Sequence, residues 1–119
     1  MNIKPFDDKK ELLYRGFIER FIQKDGTVAS AAFKDERGLS LIRGFNDSIN
    51  DMNIYSRKKL PKSKKVGHFS VWDSENINAV LLHTPSKNDD RHSEIHGNEK
   101  EIALSSIQSF ILSKKAILD

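Results

Sequence analysis

Apolar residues recur along this chain in short alternating runs, which is the pattern of half-buried strands. ELLYRGF (11–17), TVASAAF (27–33), LSLIRGF (39–45), HFSVWDS (68–74), AVLLHTP (79–85) and HSEIHG (92–97) each read as a strand. KDG (24–26) and KDERG (34–38) are turn signals between the first three, and IERFIQ (18–23) reads as a helical turn or an extension of the first strand. The period changes over residues 46–60, where Ile49, Met52 and Tyr55 lie three apart behind Asp47 or Ser48 as N-cap. This predicts a helix running into a basic loop. A second helix is predicted from Asn98, which forms an Asn-x-x-Glu capping pattern with Glu101. Ala103, Leu104, Ile107, Phe110, Ile111 and Leu118 then form one apolar face that would cover a sheet. The expected architecture is one α+β domain, residues 1–119. It has a mixed, largely antiparallel sheet of five or six short strands, a middle helix and a C-terminal amphipathic helix, with the helices on one side.

With 119 residues the chain can bury a core without staples, and it has no cysteine, which excludes disulfides, zinc ribbons and thiol catalysis. No segment has the ~20 apolar residues of a membrane span, and MNIKPFDDKK lacks the apolar centre of a signal peptide. The expectation is a soluble cytoplasmic protein with no membrane partner.

Charge changes the picture at one place. The formal net charge is +3, yet SRKKLPKSKK (56–65) alone carries Arg57, Lys58, Lys59, Lys62, Lys64 and Lys65 and no acid. Without these six, 14 basic residues stand against 17 acidic ones, a net of −3. The segment reads as an exposed loop through which an acidic protein or a nucleic acid could be held. No aromatic residue is interleaved to stack bases.

Candidate chemistry gathers around RHSEIHG (91–97). As a strand it places His92, Glu94 and His96 on one face and Ser93 and Ile95 on the other, with Ile95 directed to the core. Two imidazoles and a carboxylate on one face can bind a divalent ion, with His68, His83, Asp89 or Asp90 as a further ligand. The preferred reading has no metal and no cofactor. In it, Glu94 and His92 are the catalytic acid/base pair, and His96 helps to bind ligand. Arg15, at the end of the first strand beside Gly16, can direct its fork at a phosphate or carboxylate. Ser30 is small enough to line the same pocket. No nucleophile elbow and no phosphate-cradling glycine loop is present.

LLYRGF, DGTVASAAFKDERGLSL and HSEIHG together resemble a loose group of small, uncharacterised bacterial proteins. These share a Leu-Tyr-Arg-Gly start, an Asp-Gly-x-x-x-Ser-x-Ala-Phe segment, a Leu-Ser-Val segment and a late His-x-x-Ile. A more distant similarity is to the ADP-ribosyltransferase superfamily. That similarity implies an NAD pocket in which Arg15 and Ser30 take the roles of the early-strand Arg and later-strand Ser. The catalytic Glu of that superfamily has no clear counterpart here, and Glu94 is the candidate. Two functions are therefore expected in competition. One is an enzyme or sensor for a nucleotide or other phosphate-bearing ligand, built from Arg15, Ser30, His92, Glu94 and His96. The other is a non-enzymatic interaction protein, such as an antitoxin, inhibitor or phage-related adaptor, that uses the lysine-rich segment. A metal-binding strand is the third reading.

Overall fold

A computed structural model describes residues 2–119. Six strands form one sheet: β1 (Leu12–Phe17), β2 (Leu39–Arg43), β3 (Lys65–Ser70), β4 (Val80–His83), β5 (His92–His96) and β6 (Ile117–Leu118). Their order is β4-β5-β2-β1-β3-β6, and every neighbouring pair is antiparallel. Three helices complete an α+β fold: α1 (Ile49–Lys59), α2 (Val71–Asn76) and α3 (Ser106–Lys115). None of the described helices is long and apolar enough to cross a membrane.

Strand alternation divides the buried residues into two layers. Leu13, Phe17, Leu39, Leu41, Phe69 and Ile95 meet Phe33, Val71, Leu104 and Leu112 on one face of the sheet. Tyr14, Ile42 and Val66 meet Met52 of α1 on the other. The helices therefore lie on both faces, not on one side as the strand-and-helix order suggests. α1 is too short to cover its face. The part of that face built by β2, β5 and β4 stays open, and the polar residues of RHSEIHG occupy it.

Three local expectations are corrected. TVASAAF is not a strand: Val28 makes a single bridge to Ile22, and Ser30–Phe33 close a 3₁₀ turn. That turn packs on α3, where Ser109 donates to the Phe33 carbonyl oxygen. HFSVWDS breaks at Ser70, because Ser70 and Asp73 form a capping box that starts α2. Asn98 caps only a turn, its Oδ1 accepting from the Lys100 and Glu101 amides. α3 begins seven residues beyond the position expected, capped by Ser105 with Gln108. Its buried side is Ser109, Leu112 and Ser113, while Ile107 and Phe110 are 73% and 55% exposed. The long apolar stripe predicted for that helix is thus not its core face.

The basic segment is also not a loop throughout. Arg57, Lys58 and Lys59 form the last turn of α1, and Lys65 opens β3. Cations at a helix C-terminus oppose its negative dipole end, which favours a basic last turn there. The intervening residues are tied down, since the Lys64 amide donates to the Phe17 carbonyl at 2.9 Å. All six basic side chains are exposed.

The N-terminal segment is held by Arg43, which is 2% exposed. Its Nε and Nη2 donate to the two carboxylate oxygens of Glu11 at 2.9 and 2.7 Å. Nη1 and Nη2 also donate to the carbonyls of Lys4 and Pro5. The guanidinium lies 3.8 Å from the Phe6 ring centroid and 4.8 Å from that of Phe45.

Candidate functional site

The β1–β3 ladder runs from Leu12 to Phe17, but β1 and β2 pair only at Leu13–Arg43 and Tyr14–Ile42. Past Tyr14 the two strands part. A cavity of about 220 Å³ lies there, floored by Tyr14, Ile42 and Leu41. Its wall is the C-terminal end of α1 with Lys59 and Leu60, and its polar lining is Arg15, Ser40, Asp89 and His92. Four separate stretches of chain therefore supply it.

Arg15 is the distinctive group: by alternation it leaves β1 on the face of Leu13 and Phe17, opposite Tyr14 and His92, and it meets the cavity at the gap between β1 and β2. Its Nη1 donates to the Ser40 carbonyl at 3.0 Å, which takes up an acceptor that a continued β1–β2 ladder would use. Its Nε is buried and has no acceptor among the described residues. Burial pulls the guanidinium below its usual value, and the carboxylate of Asp35 opposes that shift. A buried donor left unpaired costs about 1–3 kcal/mol, which an acceptor brought in by a ligand would offset.

His92 is oriented by Thr84, the residue that follows β4. Its Nδ1 lies 2.8 Å from the hydroxyl and 3.2 Å from the carbonyl oxygen of Thr84. A proton on Nδ1 satisfies both of these contacts, the carbonyl being an acceptor only, and this assignment leaves Nε2 as an acceptor. Asp89 is a second acceptor at the cavity, 3.9 Å from the Lys59 ammonium, which also donates to the Asn88 carbonyl. The lining thus has cations at Arg15 and Lys59, and acceptors at Asp89 and His92.

The other residues expected at the site lie elsewhere. Glu94 and His96 share the open sheet face with His92, but they pair with each other at 2.9 Å and do not line the cavity. Gly38 packs directly on that pair with φ +92°, a conformation that suits glycine. Glu94 does not reach His92, so the expected acid/base pair is not assembled; Thr84 takes the orienting position. Ser30, in its 3₁₀ turn, does not line the cavity either. The Arg–Ser–Glu grouping that the ADP-ribosyltransferase resemblance implies is therefore not gathered around this cavity. Among the described residues no three His, Asp or Glu side chains converge as a metal site requires. Ser93 and Ile95 are fully buried on the opposite face, which sets the register of β5.

Sequence reasoning missed Ser40 as a lining group. Lys59 carried a signal only as part of the basic segment, and Asp89 only as a possible metal ligand. A neighbouring buried group bears on the cavity floor. Tyr14 packs on His68 at a tilt of 50° with ring centroids 5.3 Å apart, its hydroxyl has no partner among the described residues, and its pKa is pushed up to about 12, first by burial and then by Asp119.

Comparison with protein-family models, curated proteins and solved structures gives no match, so the functional reading rests on these side chains alone.

Proposed function

We propose that this protein is a binding module, of the sensor type, for a small phosphate ester of a hydroxylated molecule such as a sugar or mononucleotide. The observation that carries the reading is Arg15, a partly buried guanidinium whose Nε has no acceptor although Nη1 is already fixed by Ser40. A phosphate oxygen is the natural acceptor for an oriented arginine, and Lys59 adds a second cation at the same wall. Nε2 of His92 and the carboxylate of Asp89 accept hydrogen bonds from ligand hydroxyls. The volume of about 220 Å³ lies below the roughly 300–1,000 Å³ of drug-sized pockets. That favours a monophosphate over a dinucleotide.

Thermal unfolding in the presence of ribose 5-phosphate, ribose and inorganic phosphate tests the reading. A ligand at 100 times its Kd stabilises by about 2.7 kcal/mol. Ribose 5-phosphate is expected to raise Tm in wild type and to do so far less in Arg15→Gln, while ribose alone leaves it unchanged. An unchanged Tm with millimolar ribose 5-phosphate would refute the proposal.

A further inference from the structure

The cavity and the basic segment, separate candidates in the sequence, are one place in the fold. Lys59 and Leu60 line the cavity wall. Beyond them Ser63 packs on Gly16, so closely that a Cβ at Gly16 would collide with it. Gly16 itself lines the cavity. The Ser63 amide donates to the Leu60 carbonyl and the Lys64 amide to the Phe17 carbonyl, which fixes this stretch against β1. Lys62 and Lys64 flank Ser63 and are exposed. Among the described residues Arg57, Lys58, Lys62, Lys64 and Lys65 are in no ion pair, in contrast to Lys59.

A single phosphate held at Arg15 leaves the exposed lysines that follow Lys59 without a role. A ligand whose first phosphate enters the cavity and whose further phosphates continue outward engages both. We infer that the ligand is the phosphorylated end of a single nucleic-acid strand. The terminal phosphate meets Arg15, the terminal sugar hydroxyls meet Asp89 and His92, and the following backbone phosphates run over the lysines. This inference rests on the phosphate reading above and names its ligand class. With no aromatic residue in the segment to stack bases, recognition is of the end and the backbone charge and not of base sequence.

The test is fluorescence anisotropy with RNA strands of about eight nucleotides, carrying a 5′-phosphate, a 3′-phosphate or only hydroxyl ends, over a series of salt concentrations. A competing ribose 5-phosphate titration and a phosphoserine peptide of matched charge accompany it. One phosphorylated strand is expected to bind roughly tenfold or more tighter than the hydroxyl-ended strand, the worth of one charge-assisted hydrogen bond. Arg15→Gln should abolish that preference. The triple change Lys62→Gln, Lys64→Gln, Lys65→Gln lies on exposed side chains and should leave Tm unchanged. It should keep the end preference while the log–log salt slope falls from roughly −3 to roughly −1. Equal binding of phosphorylated and hydroxyl ends by wild type overturns the inference whatever the variants do, as does a salt slope untouched by the triple change. Tighter binding of the phosphopeptide would replace nucleic acid with a phosphoprotein and also overturns it. If ribose 5-phosphate binds and neither phosphorylated strand does, the inference falls while the small-ester reading stands. If no phosphate probe binds, both fall.

Discussion

Replacing Glu11 by Gln should be among the most damaging conservative changes in this protein. Glu11 is 5% and Arg43 2% exposed, so the pair is out of water. Gln keeps the size of Glu and one carbonyl acceptor but removes the charge facing the guanidinium. Two unit charges about 4 Å apart attract by about 4 kcal/mol at an effective dielectric of 20. Breaking a buried pair from one side typically costs about 3–5 kcal/mol, because the remaining charge stays buried and uncompensated. Here the Lys4 and Pro5 carbonyls and the faces of Phe6 and Phe45 still solvate the cation, which places the loss toward the lower end, about 3 kcal/mol. That is a large part of the ~5–15 kcal/mol by which domains are stable. Urea unfolding followed by circular dichroism reads it as a lower midpoint with an unchanged slope. Limited proteolysis gives a second readout. Arg43 ties residues 4 and 5 to the sheet, so the variant should be cut sooner in the N-terminal segment. The double change Glu11→Leu, Arg43→Met should recover much of the loss, since an apolar pair of similar volume leaves no buried charge behind. A Glu11→Gln loss below about 1 kcal/mol, the size of an exposed ion pair, would refute this account.

Three further outcomes are expected. Absorbance titration at alkaline pH should show Tyr14 ionising near about 12, above the ordinary 10.0. Because the folded value is the higher one, its contribution to stability is fully present below about 10 and lost as pH rises through about 12; ionisation of both tyrosines together near 10 would contradict it. Tyr14→Phe should be neutral or stabilising by up to about 1 kcal/mol, since the deleted hydroxyl is buried without a partner, and a loss of more than that in urea unfolding would mean the hydroxyl is satisfied. Ile95→Ala should cost about 2–5 kcal/mol at a fully buried position, whereas His96→Ala, on the open face, should cost less than about 1; the reverse order in thermal melts would overturn burial as what sets the register of β5.

The strands legible in the sequence were those with alternation strong enough to mark two faces. Leu12–Phe17, Leu39–Arg43 and His92–His96 are such runs, and each forms where expected. TVASAAF misled because Val28 and Phe33 bracket a run of small residues with no strong preference, and the tight fit of Ala32 and Phe33 beneath α3 decides their conformation. The turn into α2 was visible as Ser70-x-x-Asp73, but the alternation of Phe69, Val71 and Asp73 outweighed it. At the C-terminal end two capping patterns competed, Asn98-x-x-Glu101 and Ser105-x-x-Gln108. Only the second is followed by residues that bury a helical face against the sheet, a tertiary fact that no local pattern contains. The site was legible in part for a similar reason. Arg15 and His92 carry chemistry by their type, whereas Ser40 and Asp89 matter only through the place to which the chain brings them. Glu94 was the natural partner for His92 by spacing. Its carboxylate turns instead to His96, the neighbour on its other side, and Thr84 across the ladder takes Nδ1.

Arg15 and Arg43 lie on adjacent antiparallel strands of one sheet, and the difference between them is the physical basis for assigning a site. Arg43 directs Nε and Nη2 at a carboxylate, uses Nη1 on a carbonyl and is closed over by two aromatic rings; every direction in which it could bind a ligand is filled by the protein itself. Arg15 also uses Nη1 on a carbonyl, which fixes the plane of the guanidinium, but its Nε meets no carboxylate, and Asp35 stays beyond ion-pair distance. Stability alone would favour closing Arg15 in the same way, or replacing it with an apolar residue like its neighbours Leu13 and Phe17. The chain instead ends the β1–β2 ladder at Tyr14, opens a cavity that Arg15 lines in part and brings the end of its most basic segment to the cavity wall. Each of those features costs folding free energy, and each is accounted for if an anionic group completes the arrangement.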